Sequence, residues 1–322
     1  MLKWGFVLLI VAVIVYTFRE QAGPILHELK NTSIWVVAVI CLSSLVYECM
    51  EGAVTMGFAR EYQPGFSYTF GVESAFFCSF YRVATLGSGA GIAAVYYFNE
   101  KGIPVSKGTG MYMIEYVLHK LSIAIFSVIF FALSFGFMME YFGEYSHLLA
   151  VGYILTVCIS GVMVFACYST KLHRWIFLVL DKINRKHKFD GQIRELREQC
   201  VVLEEASAFL LRKPLLIIRT IFMDLVKLAF WYGIPYVVFY KTGEITLPQT
   251  LAVTSLSVML AAVLPSPAGI GSTEFVFTLL FAAVAGTGAA GSASLLYRFA
   301  TFVFPFLVGM IIVIRRRIGM RK

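Results

Sequence analysis

Leu86-Gly-Ser-Gly-Ala-Gly-Ile-Ala93 recurs late in the chain as Leu264-Pro-Ser-Pro-Ala-Gly-Ile-Gly271, with Leu, Ser, Ala, Gly and Ile in register. Both copies sit inside long apolar stretches, where Gly and Pro interrupt a helix that would otherwise run on. A bilayer tolerates such irregular backbone only where protein buries it or where it lines a cavity. The repeat therefore divides the chain into two related halves and marks the two breaks as a candidate site.

Composition sets the environment. Of 322 residues, 59% are hydrophobic and only 14% charged, with a mean hydropathy of +0.79. That excludes an ordinary soluble domain and identifies a polytopic membrane protein. The net charge of +8 does not point to nucleic acid, because the basic residues gather at segment ends and in one linker, as membrane orientation requires. Five of the six cysteines lie in apolar segments and none forms a CxxC pair, so they read as small apolar filler rather than metal ligands or disulfides.

A crossing takes about 20 apolar residues. On that rule Leu2 to Phe18, Ile34 to Ala59, Met111 to Met139, Leu148 to Tyr168, Leu215 to Tyr240 and Leu295 to Ile314 are full crossings, the first being a retained anchor without a cleavage site. Phe66 to Phe98 and Leu251 to Ala285, broken by the motif, read as re-entrant hairpins. The expected architecture is an all-α polytopic integral membrane helical bundle forming one transmembrane domain over residues 1–322. Its parts are a first half (1–170), a basic linker (171–213) and a second half (214–322). The linker carries ten Lys and Arg and the tail from Arg315 carries five, which places both, and the two termini, in the cytoplasm of a cell-membrane protein. On that scheme the segments before the two motifs run in opposite directions, giving two inverted-topology halves. The linker should be helical, either lying on the inner leaflet or connecting the halves in solution.

Charges at membrane depth cost roughly 2.5–3.5 kcal/mol on insertion scales, so each requires a partner or a function. Arg82 precedes the first motif and offers a planar fork that matches phosphate oxygens. The helix starts after Gly91 and Gly271 would point partial positive charge at the same region. Gly87, Ser88, Gly89 and Gly91, with Pro265, Ser266, Gly269 and Gly271, are thus candidates for binding an anionic head group. Glu274 suits the first turn of a helix capped by Ser272 or Thr273, and it has the reach to pair with Arg298 as a clamp or as part of the site. Glu115 and His119 are four apart and Asp224 and Lys227 three apart, so each pair is expected to satisfy itself. Glu115, His119 and Asp224 are also candidates for a proton relay. Glu48 and Glu51 read as interfacial.

Catalytic signatures are absent: there is no GxSxG, HExxH or Walker A, and Gly87 to Gly91 lacks the βαβ unit of a dinucleotide loop. No catalytic residue, metal or cofactor is expected. In Leu264 to Glu274 followed by Leu296-Tyr-Arg-Phe-Ala-Thr301, and in Arg82 to Gly91 followed by Tyr96-Tyr-Phe-Asn-Glu-Lys-Gly102, the chain resembles the lysylphosphatidylglycerol synthase transmembrane region, or flippase domain, family. Pro267 departs from that family's more usual glycine. The resemblance implies an integral membrane protein that translocates or binds an anionic phospholipid or lipid-linked glycan. In full-length relatives it also implies resistance to cationic antimicrobial peptides. Because the chain reads as ending at Lys322, just past its last crossing, the aminoacyltransferase domain of those relatives is expected to be absent, and any lysyltransferase activity would need a lipid-modifying enzyme on a separate chain. The competing reading is a proton-coupled secondary transporter of a small anionic solute.

Overall fold

The computed structural model describes residues 22–145, 169–184, 189–240, 245–263 and 269–319, with isolated positions between 154 and 165. The expected crossings at Leu2 to Phe18 and Leu148 to Tyr168 therefore lie outside the described residues, apart from those isolated positions. Everything regular that is described is helix.

The first half builds α1 (Ala22–Asn31), α2 (Ile34–Ala59), α3 (Tyr68–Ala84), α4 (Ala90–Glu100), α5 (Val105–Leu133) and α6 (Phe135–Phe142). The linker folds as α7 (Thr170–Ile183) and α8 (Asp190–Leu211). The second half follows as α9 (Pro214–Tyr232), α10 (Ile234–Phe239), α11 (Leu247–Val263), α12 (Ser272–Ala285), α13 (Thr287–Arg298), a π-helical turn at Phe299–Val303 and α14 (Phe304–Gly319).

Three of these stretches, Ile34–Ala59, Val105–Leu133 and Thr287–Ile318, are long and apolar enough to cross a membrane. The first matches its expected span. The other two begin earlier than expected, at Val105 and Thr287. The expected crossing at Leu215 to Tyr240 instead breaks at Gly233, where Pro235 follows: proline has no N–H and its ring clashes with the carbonyl four residues back, so α9 stops and α10 restarts.

Both motif regions are interrupted helices. The chain leaves α3 at Ala84 and resumes helix at Ala90, and leaves α11 at Val263 and resumes at Ser272. At 1.5 Å per residue, 11-residue α4 is about 16 Å long and 14-residue α12 about 21 Å, both short of a hydrocarbon core of roughly 30 Å. The two breaks differ in register. In the first, Gly87 takes φ +100°, open to glycine at little cost, and helix begins at Ala90; in the second, Gly269 and Gly271 take the positive φ and helix begins at Ser272, which aligns with Ala94, one turn later.

The halves interlock. α3 packs on α2 and α4 in its own half and on α14 from the other, while α9 packs on α2 and α5. Small residues set the crossings: a Cβ placed on Gly71 would lie 2.0 Å from the Gly52 carbonyl oxygen, and one on Gly309 would lie 2.2 Å from that of Phe76. Close backbone approach through small residues is how helices associate in lipid, where no hydrophobic gain drives them together. Phe80 stacks on Phe306 at 5.4 Å across the second crossing. One apolar core joins Phe80, Val83, Ala94 and Tyr97 of the first half to Phe302 and Phe306 of the second, and Ile270 of the second motif packs against it. A second core joins Phe277, Phe281 and Tyr297 to Ile40 and Met138. Each lobe thus borrows side chains from the other half, and the second motif touches the lobe that holds the first.

Candidate functional site

Polar residues at helical spacing line the inside of the first lobe. On α2, Glu48, Glu51 and Thr55 fall three and four apart and share a face. Ser79 and Arg82 on α3 and Glu115 and His119 on α5 repeat that spacing. These faces enclose a cavity of about 320 Å³, which reaches Gly87 in the first motif.

Its walls are a chain of polar contacts. The Arg82 guanidinium donates to Ser79 Oγ at 3.0 Å, and that hydroxyl donates to Glu48 Oε1 at 3.0 Å. Thr55 donates to Glu115 Oε1 at 2.5 Å. Just beyond, the Lys227 ammonium lies 2.5 Å from Asp224 Oδ1 and also pairs with Glu51, while Ser122 donates to Asp224 Oδ2 at 3.1 Å. Lys227 and Asp224 are each only 1% exposed, so this triad binds α9 to α2 and α5 by charge rather than by apolar contact alone. Both signs of charge are present, which suits a cavity meant to hold a polar group against low-dielectric walls.

The expectations for these residues divide. Asp224 and Lys227 do pair. Glu115 and His119 do not satisfy each other: Glu115 is held by Thr55, and His119 Nδ1 lies 4.0 Å from Asp224 Oδ2 without hydrogen bonding to it. Sharing a helix face shows only that two side chains are neighbours; the facing helices α2 and α9 supply nearer partners. Glu48, expected at the interface, is 1% exposed and Glu51 lines the cavity. The packing of α3, α5 and α9 over that face of α2 closes it from the surroundings. Arg82, expected to meet an anionic head group, lines the cavity.

A second, larger space of about 880 Å³ opens between α4 and α5. Its lining is apolar, with Ile92, Val95, Val105 and Met113 among its walls, and Ser88, Gly91 and, from α8, Gln199 along its course. It shares Gly87, Tyr112 and Tyr116 with the polar cavity. Gly91 makes room for this neck, since a Cβ there would come 2.8 Å from the Tyr112 ring. Gly89 N–H donates to Thr85 Oγ1 at 2.6 Å and closes the turn. Three of the first-motif candidates, Gly87, Ser88 and Gly91, thus line the groove, and Gly89 closes the turn beside them. Tyr112 was missed because nothing in an aromatic on an apolar helix distinguishes a cavity wall from filler.

The second half holds a clamp. Glu274 Oε2 accepts from Gly271 N–H at 2.9 Å, and Oε1 lies 3.0 Å from Arg298 Nε. The expected Ser272 or Thr273 cap is replaced by this side chain reaching back from the first turn, because Gly271 occupies the capping position. Arg298 is buried, its guanidinium 3.8 Å over the Phe302 ring, and the π-helical turn follows it directly. The pairing expected of Glu274 and Arg298 is therefore present. Pro265 and Ser266 lie outside the described residues; Gly269 and Gly271 form the turn before α12. Among the described residues, no group of three or more His, Cys, Asp or Glu is placed to hold a metal ion.

The sequence profile of the lysylphosphatidylglycerol synthase TM region matches residues 4–309. A UPF0104 membrane protein, PH1989 of Pyrococcus horikoshii, is 33% identical over 157 residues, which cover 47% of this chain and 44% of that protein. The match thus spans less than half the length of that relative.

Proposed function

The chain belongs to the lysylphosphatidylglycerol synthase transmembrane-region family, and on that premise we propose that it binds and translocates an anionic phospholipid or lipid-linked glycan. The observation that carries this reading is the neck at Gly87, Tyr112 and Tyr116, the residues that a polar, charged cavity and an apolar groove share as walls. A lipid needs both: a place for its head group and a continuous apolar channel for its tail. Arg82 takes the phosphate, the neck passes the head group, and the acyl chain stays in the groove between α4 and α5. The two broken segments act as re-entrant hairpins of an inverted repeat, and Glu274 with Arg298 locks the second one. The protein sits in the cell membrane with both termini cytoplasmic, and a lipid-modifying enzyme on a separate chain would supply or consume its cargo.

Leaflet exchange in vesicles carrying fluorescent phosphatidylglycerol tests this. Wild type should exchange label faster than protein-free vesicles, and Arg82→Gln should lose most of that gain while keeping its gel-filtration profile. Equal rates for wild type and empty vesicles refute translocation.

A second reading has its own observation. His119 stands 4.0 Å from Asp224 with Nδ1 buried, at the edge of a cavity bordered by Glu48 and Glu115. That arrangement supports a proton relay driving a small anionic solute. Uptake of such a solute that follows an imposed pH gradient, and is abolished in His119→Gln, favours this reading over lipid movement.

A further inference from the structure

The linker carries a surface that the cavity does not use. Helix α7 turns His173 and Phe177 toward α8, where His173 meets Glu204 and the Arg197 guanidinium lies 4.9 Å from the Phe177 ring centroid. Arg197 also holds Asp181 at 3.1 Å. The opposite face of α7 is apolar and uncovered: Trp175 is 62% exposed, Leu178 63% and Ile183 75%, with Val179 between them. These positions recur three to four residues apart and form one stripe. Lys171, Arg174 and Lys182 are exposed alongside it, while the helix's single acid, Asp181, is already neutralised by Arg197. An apolar stripe with a tryptophan, rimmed by unopposed cations and braced from behind, has the composition of a helix that lies in a membrane surface. The cations select anionic head groups over zwitterionic ones.

We propose that α7 is an interfacial helix, inserted through Trp175, Leu178, Val179 and Ile183 into an anionic bilayer surface and held there by α8. The proposal stands whether or not the cavity carries lipid. Because α8 also packs along α5 and places Gln199 in the apolar groove, the surface helix is mechanically joined to that groove.

The test uses the whole protein in vesicles containing a fixed fraction of 6,7-dibromo phosphatidylcholine, with the remainder either phosphatidylglycerol or phosphatidylcholine. Subtracting the emission of Trp175→Phe from that of wild type isolates Trp175. The expected result is that brominated lipid removes about half or more of the Trp175 emission in phosphatidylglycerol vesicles and clearly less in phosphatidylcholine. Changing Lys171, Arg174 and Lys182 together to Gln should erase that difference. Trp175 emission that ignores brominated lipid but is quenched by aqueous acrylamide overturns the proposal in favour of a solvated connector. Emission that ignores both quenchers overturns it in favour of a protein contact. Equal quenching in the two lipids overturns the anionic preference.

Discussion

Replacing Lys227 with methionine keeps most of the side chain's length and removes its ammonium. Asp224, 1% exposed, is then left with the Ser122 hydroxyl at 3.1 Å and a histidine nitrogen at 4.0 Å. Glu51, at 29% exposure, borders the cavity and has access to water, so the penalty falls mainly on Asp224. Removing one member of a buried ion pair costs about 3–5 kcal/mol. Taking the low end, because a stranded carboxylate escapes part of the cost by binding a proton, the folded-to-unfolded ratio should fall roughly a hundredfold at 1.4 kcal/mol per factor of ten. Changing Asp224 to Asn in the same chain removes the stranded charge while keeping an acceptor for Ser122, so the double variant should recover at least half of the loss. Reversible unfolding in mixed detergent and SDS micelles, followed by circular dichroism for the two single variants and the double, measures both quantities. A Lys227→Met protein within about 0.5 kcal/mol of wild type, or a double variant no more stable than Lys227→Met, would refute the claim that this triad is a stranded-charge hazard held in check by pairing.

Gly71→Ala should destabilise the α2–α3 crossing by about 1–3 kcal/mol, since its methyl group meets the Gly52 carbonyl, and thermal unfolding in detergent should show it as a lowered midpoint. Glu274→Gln keeps an acceptor for the Gly271 N–H but leaves the buried Arg298 charge uncompensated; a loss of about 3 kcal/mol is expected, with Glu274→Gln/Arg298→Met more stable than the single change. Burial, and then the nearby Glu204 carboxylate, pushes the Cys200 thiol up. A raised thiol holds less thiolate at neutral pH, so maleimide should label Cys200 more slowly than a free small thiol at pH 7, with the rate still climbing at pH where the free thiol has levelled off. Gly91→Leu, which places a branched side chain against Tyr112 at the neck, should slow leaflet exchange several-fold while leaving the helical circular dichroism signal unchanged.

Ile34 to Ala59 was readable to the residue, because 26 consecutive helix-compatible residues between Ser33 and Arg60 leave a lipid-embedded backbone no other way to satisfy its hydrogen bonds. The two motif breaks were readable for the same reason, since Gly and Pro clusters cannot carry helix through them. Charge economy pointed to Glu274 and Arg298, two ionised groups in one apolar half with few alternatives. Glu48 and Glu51 show where such reading stops. Their spacing placed them on one face of α2, and whether that face met water, lipid or protein depended on α3 and α5, which are fixed by contacts such as Gly52 with Gly71. Glu115 and His119 failed in the same way: their periodicity is right, but Thr55 and Asp224 arrive from helices 60 and 105 residues away in the chain order.

What the amino-acid order determined on its own was therefore local and one-dimensional. It set where helix runs, where it breaks, which stretches need lipid and which charges need a partner, because propensity, length and desolvation act on each segment before it meets another. The tertiary structure alone decided which faces meet. It turned a row of acids into the wall of a cavity, set an apolar groove on the other side of Tyr112, and brought the second motif against the first lobe. Those outcomes depend on close packing between segments far apart in the chain, and ångström-scale complementarity leaves no periodic trace in a sequence.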